Sequence, residues 1–161
     1  MAQIYAFLDL DGVEGESQDS DYTNKIELQG VSWGVTNASS YAHGTGPGIG
    51  QGDVADILCS KYFDKSSLTL FDKCTTGKPI SSGKVTLLKQ SGDTKVPYIE
   101  LKLTNVIIKD FHFHAGNDGK LPLDTFSLHF VKHESSYKPQ GNEGDPQGNI
   151  DISWDIQKNT K

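Results

Sequence analysis

Apolar residues in this chain recur mostly at every second position, the period of a strand with one buried face. Residues 3–8 form a short apolar run. Residues 25–36 alternate with Ile26 and Leu28 on one face, then change phase so that Val31, Trp33 and Val35 share a face. The change falls at Gly30 and predicts a bulge or bend there. Residues 84–89 and 98–108 flank Ser91-Gly92-Asp93, which reads as a hairpin turn. Residues 110–114 and 125–137 flank a second polar connection containing Asn117-Asp118-Gly119. Residues 149–156 alternate through Ile150, Ile152, Trp154 and Ile156, the pattern of a final strand.

One segment departs from that period. Leu68, Phe71 and Cys74 recur at three-residue spacing, with Leu70 beside them, behind the capping oxygens of Asp64-Lys65-Ser66-Ser67. Gly77 suits a left-handed C-terminal position, and Pro79 stops any continuation. The expected helix, about residues 67–76, is too short to stand alone and must pack an apolar stripe on a sheet. Seven or more strands and one helix give a mainly β chain: a β-barrel of two sheets, one short flanking α-helix and long loops, with residues 1–161 as a single domain. Residues 37–53 stand out as an extended loop with glycine at 44, 46, 48, 50 and 52. Loops of that length in a small domain are more often functional or mobile than ordinary.

Composition narrows the partners. The net charge is -6, and all 15 basic residues are lysine. Without arginine there is no bidentate fork for guanine or phosphate, and an acidic chain gains little from counterion release, so no nucleic acid partner is expected. The mean hydropathy is -0.47, and no apolar run approaches the roughly 18 residues of a spanning helix, so no membrane insertion is expected. Met1-Ala2-Gln3-Ile4-Tyr5 offers no basic region followed by an apolar one; export, if it occurs, is expected without a signal peptide. Cys59 and Cys74 are too few for a disulfide framework and read as buried, inert thiols.

Candidate chemistry is thin. Asp9-Leu10-Asp11-Gly12 after an apolar run looks like the nucleophile strand of a haloacid dehalogenase-type phosphatase. That chemistry needs a parallel sheet with helical crossovers and later metal-binding acids, which one helix does not supply. The glycines of residues 44–52 close no nucleotide-binding register. His112 and His114 alternate around Phe113, with Asp110 in line, and His129 and His133 would share another face; no third ligand at defined spacing completes a metal site. No catalytic residue, cofactor or metal is assigned.

Blocks along the chain carry a resemblance. Gly12-Val13-Glu14-Gly15-Glu16-Ser17, Ile26-Glu27-Leu28, Ser32-Trp33-Gly34-Val35 and Lys61-Tyr62-Phe63-Asp64-Lys65-Ser66-Ser67 lie in the first half. Cys74-Thr75-Thr76-Gly77-Lys78, Tyr98-Ile99-Glu100-Leu101, Phe126-Ser127-Leu128-His129-Phe130, Tyr137-Lys138-Pro139-Gln140 and Trp154-Asp155-Ile156 continue it. In order and spacing they resemble the haemolysin-coregulated protein (Hcp) family over nearly the whole chain.

The resemblance implies a tube subunit of the type VI secretion system rather than an enzyme. Hexameric rings of the chain itself would stack into a hollow tube and meet sheath, spike and baseplate components. Small effectors would ride in the lumen, with Ser32 as a cargo contact. Residues 37–53 would be the ring-contact loop, with Asn37, Ser40, Tyr41, His43, Gly46, Gly48, Gly50 and Asp53 as candidates. The protein would assemble in the cytoplasm and then be secreted. Leu68 stands where relatives often have proline, and His133 and Ser135 where they often have apolar residues.

Overall fold

A computed structural model describes residues 4–39, 51–140 and 148–161. Its elements run β1 (Ile4–Leu10), β2 (Ile26–Leu28), β3 (Gly30–Ser32), β4 (Val35–Asn37), β5 (Gly52–Val54), β6 (Ile57–Tyr62), α1 (Lys65–Thr76), β7 (Ile80–Ser91), β8 (Thr94–His114), β9 (Leu123–Tyr137) and β10 (Ile150–Asp155). Eight strands make one sheet in the order β2-β1-β7-β8-β9-β6-β3, with β10 also on β9; β4 and β5 form a separate pair. Every pairing between these strands is antiparallel.

The two ends of that order are consecutive in sequence, and this nearly closes the barrel. β2 pairs with β1 through Ala6↔Leu28, whereas β3 pairs with β6 through Val31↔Cys59. Between them the chain bends at Gln29, whose N–H donates to Ser60 O at 2.7 Å. The phase change beside Gly30 is therefore the corner of the barrel. Ile26 and Leu28 are buried before it, and Val31 and Trp33 pack on the core after it. Val35 is exposed, because the chain has by then left the barrel for the β4–β5 arm.

The β7–β8–β9 meander is the longest local pairing. Ser91 pairs with Thr94 around Gly92, whose φ of 60° suits a tight hairpin. The expected strands at 98–108 and 110–114 are one strand, β8, because Lys109 is an extra residue between the pairs Ile108↔Leu128 and Asp110↔Ser127. A second change of face lies at Asn105, with φ 52°. Leu101 and Leu103 are buried before it, Val106 and Ile108 after it, and β9 makes the matching switch between Phe130 and His133. His129 and His133, expected on one face, therefore lie on opposite faces.

The helix is held by a buried polar knot. Asp64 caps it, accepting from Ser66 N at 2.8 Å, while Ser67 Oγ accepts from Asp64 N at 3.0 Å. Gly77 closes the other end with φ 65°. Lys61 on β6 is fully buried; its Nζ lies 2.6 Å from Asp124 Oδ2, 2.9 Å from Asp64 Oδ1 and 2.7 Å from Ser67 Oγ. Ser67 donates its one proton to Asp124 Oδ2 at 2.5 Å, so its hydroxyl is saturated.

This knot sets the rotation of α1. Ser66, Ser67 and Leu70 face inward, with Cys74 half-buried, while Leu68 and Phe71 are exposed. The stripe expected from Leu68, Phe71 and Cys74 is thus turned away from the barrel at its first two positions. The segment after β1 braces the same helix end. A Cβ on Gly15 would sit 2.4 Å from Lys25 O, which only glycine avoids, and that close approach aims Glu16 Oε2 at Lys65 N, 3.1 Å away.

Lys61→Met leaves Asp124 as an uncompensated buried charge and is expected to cost about 3–5 kcal/mol in urea unfolding. Lys61→Met combined with Asp124→Leu should recover part of that loss. A single variant as stable as wild type would show that the knot does not hold the helix.

Candidate functional site

The outward face of β3, β6, β9 and β8 mixes hydroxyl-bearing and apolar side chains, because alternate residues of each strand are committed to the core. In β6, Ile57 and Cys59 point inward, leaving Leu58 and Ser60 outside; in β9, Phe126 and Leu128 point inward. The register aligns these outer residues in rows. Ser32 sits opposite Leu58, Leu58 opposite Ser127, and Ser127 opposite Asp110. Gly30, Ser60, Thr125 and His112 make the next row in the same strand order. These two rows line a shallow groove of about 490 Å³.

Its chemistry is hydroxyl-rich. Ser127 Oγ donates to Asp110 Oδ2 at 2.9 Å, which leaves Ser32 and Thr125 as exposed hydroxyls around the apolar Leu58. Beyond the Ser127 row, His129 Nδ1 lies 2.7 Å from Asp56 Oδ1, and Lys109 Nζ lies 3.3 Å from Asp56 Oδ2. His112 and His114 share this outer face as expected, and both are exposed. Among the described residues, no three His, Cys, Asp or Glu side chains converge as a metal site.

Trp33 fixes the root of the β4–β5 arm next to Ser32. Its Nε1 donates to Ala55 O at 3.0 Å, and Ala55 N donates to Gly34 O at 2.9 Å, so both stems are clamped. His133 stands edge-on to the indole at a ring separation of 4.8 Å, with Phe130 alongside at 6.1 Å, and its Nδ1 meets Ser135 Oγ at 2.9 Å. Burial pulls the His133 pKa below its ordinary value of 6.5. Of the expected loop contacts, Asn37 and Asp53 lie in the stem of the arm, with Asn37 opposite Gly52 and Thr36 opposite Asp53. Ser40, Tyr41, His43, Gly46, Gly48 and Gly50 lie outside the described residues.

The Asp9-Leu10-Asp11-Gly12 segment ends β1 between two antiparallel neighbours, β2 and β7. Asp9 pairs with Lys25 at 3.0 Å, and Asp11 Oδ2 accepts from Ser81 Oγ at 2.6 Å. The parallel sheet that a phosphatase nucleophile strand requires is not formed by the described strands. Sequence reasoning singles out Ser32 alone on the outward face. It misses Leu58, Ser60, Thr125 and Ser127, although each alternates with a strongly apolar residue.

Comparison with known proteins agrees with this outline. Residues 7–137 match the family model described as type VI secretion system effector, Hcp. The chain is 28% identical over 156 residues to Protein hcp1 of Pseudomonas aeruginosa, covering 96% of each. A solved structure described as a type six secretion system protein superposes with TM-score 0.92 at 25% identity, covering 98% of this chain and 99% of the other. Hcp1 from Salmonella typhimurium superposes with TM-score 0.78 at 25% identity, covering 99% of each.

Two measurements check the local chemistry. Burial pushes the Cys59 thiol up to about 12, so native protein at mildly alkaline pH should be alkylated at Cys74 and spared at Cys59. Equal labelling of both would contradict the packing of β6. For His133, the unfolded chain binds a proton more readily than the folded one. Its contribution to stability is therefore complete above its ordinary pKa and is lost as pH falls below about 6.5. His133→Phe should flatten that acid limb of a thermal-melting profile; an unchanged slope would exclude His133 as its source.

Proposed function

The chain belongs to the Hcp family of type VI secretion proteins, and on that premise we propose that it is a tube subunit that assembles into hexameric rings and stacks them into a hollow tube. The observation that supports this reading best is the shallow, hydroxyl-bearing face of β3, β6, β9 and β8, built from side chains of four strands in register. Turned to the axis of a ring, it forms a wall whose hydroxyls and exposed Leu58 and Leu123 suit weak, reversible contact with a passing protein. Ser32 lies on that wall as the cargo contact.

The arm that starts at Trp33 is suited to reach a neighbour, with Asn37 and Asp53 in its stem and Ser40, Tyr41, His43, Gly46, Gly48 and Gly50 as the proposed contacts beyond. Rings arise from heterologous contacts that close by rotation, and length arises from face-to-face contacts that do not close. In this reading the subunit assembles in the cytoplasm, meets sheath, spike and baseplate components, and leaves the cell with small effectors in its lumen. No helix among the described residues is long and apolar enough to cross a membrane.

Purified protein is expected to give hexamers by native mass spectrometry and rings by electron microscopy; a strict monomer at every concentration would refute the ring. Ser32→Tyr should keep the rings and lose a co-purifying effector. An undiminished cargo yield with intact rings would take Ser32 off the lumen wall.

A further inference from the structure

Among the described residues, two apolar surfaces stand exposed at opposite ends of the β8–β9 hairpin. Where β8 ends and β9 begins, Phe63, Leu68, Phe71, Phe111, Phe113 and Pro122 line a groove of about 390 Å³. Phe63 meets Phe113 edge-on at 5.6 Å and Phe71 meets Phe111 at 6.0 Å, so its aromatic walls hold one another in place. Leu68, Phe71 and Phe113 are nevertheless 70%, 51% and 57% exposed.

At the other end of β9, Tyr137 pairs with Ile150, and Ile150 and Ile152 are 60% and 61% exposed. These two isoleucines stand on the inner face of the sheet, in phase with Trp154 opposite the buried His133, but beyond the part of the described barrel that covers Trp154. The outer edge of β10 pairs with no described strand.

We infer that the groove of one copy receives the β10 edge of the next, with Ile150 and Ile152 as the inserted side chains. This inference rests on the assembly reading above and names its contact. From Asp124 at the groove end to Tyr137 at the strip end, β9 spans about 40 Å at roughly 3.3 Å per residue, so neither surface can cover the other within one chain. A foreign partner would need only one of them; a second copy satisfies both with one contact.

The chemistry fits on both sides. The groove is concave and lined by apolar residues alone, while the strip is an edge strand presenting two isoleucines on one face. Asp151, between the two isoleucines, points to the opposite face, so docking desolvates no charge in either surface. Unlike surfaces at opposite ends make a head-to-tail contact, which propagates from copy to copy. Isoleucines and aromatic rings that would otherwise invite random association are thereby covered.

Two variants test this. Leu68→Glu with Phe71→Glu disables the groove, and Ile150→Glu with Ile152→Glu disables the strip; every substituted side chain is exposed, and unchanged melting curves would confirm folding. Each variant alone should run as a monomer by native mass spectrometry. Mixed in equal amounts they should form a dimer and stop there, because the intact strip of one fills the intact groove of the other and both remaining surfaces are disabled. Wild-type rings with either variant still assembling, or with a mixture that stays monomeric, would overturn the contact while leaving the ring standing. A wild type that is itself monomeric would overturn both.

Discussion

The ammonium of Lys61 organises this fold from inside it. It lies where β6, β9 and the start of α1 meet, and its bonds to Asp64, Ser67 and Asp124 hold β9 and the helix start against β6. A buried pair of this kind seldom adds stability over a well-packed apolar cluster, because desolvation offsets most of the attraction. Its distinct effect is directional. Apolar side chains slide and rotate at modest cost, whereas Ser67 can saturate its hydroxyl against Asp64, Lys61 and Asp124 in one orientation only. That orientation fixes which side of α1 faces the barrel, and so leaves Leu68 and Phe71 beside Phe111 and Phe113.

Changes of strand phase do comparable work in the sheet. The bend at Gln29 turns one run of residues into two strands with different partners, and this brings the sheet round on itself. The extra residue at Lys109 and the left-handed Asn105 each re-aim the side chains of the adjoining strand. One result is that His129 joins Asp56 on the outer face while His133 goes inward to support Trp33. The hydroxyl-bearing wall and the clamp of the arm are thus produced by irregularities, not by the regular parts of the strands.

Features set by near neighbours were legible in the sequence. The C-terminal cap of α1, the turn at Gly92 and the corner beside Gly30 each depend on a few adjacent residues and are where the pattern placed them, whereas the helix starts at Lys65, two residues before the expected start. The resemblance carried by Glu14-Gly15-Glu16-Ser17 also has a local cause, since Gly15 must pass against the backbone of Lys25. The rotation of α1 was not legible, because it depends on Asp124, distant in the chain. Apolar spacing put Leu68, Phe71 and Cys74 in one stripe with Leu70 beside them, and of these four only Leu70 is fully buried. The parity of His129 and His133 failed for a related reason, as nothing in β9 announces the positive φ of Asn105 on the strand beside it. Ser32 was recognised without its neighbours in the row, because cross-strand register is a property of four strands together.

The corner at Gln29 has a further consequence for how the chain acquires its shape. Ser91 finds Thr94 almost at once, and β8 finds β9 across one short connection, so the meander can form early from local encounters. Ala6 must instead find Leu87, and Val31 must find Cys59, across long stretches of chain whose ordering costs entropy before any contact repays it. The barrel therefore has a seam, and the seam is the slow part. Until β2 and β3 are seated, β1 and β6 expose hydrogen-bonding edges, and the nascent subunit is at its most vulnerable to joining the wrong strand.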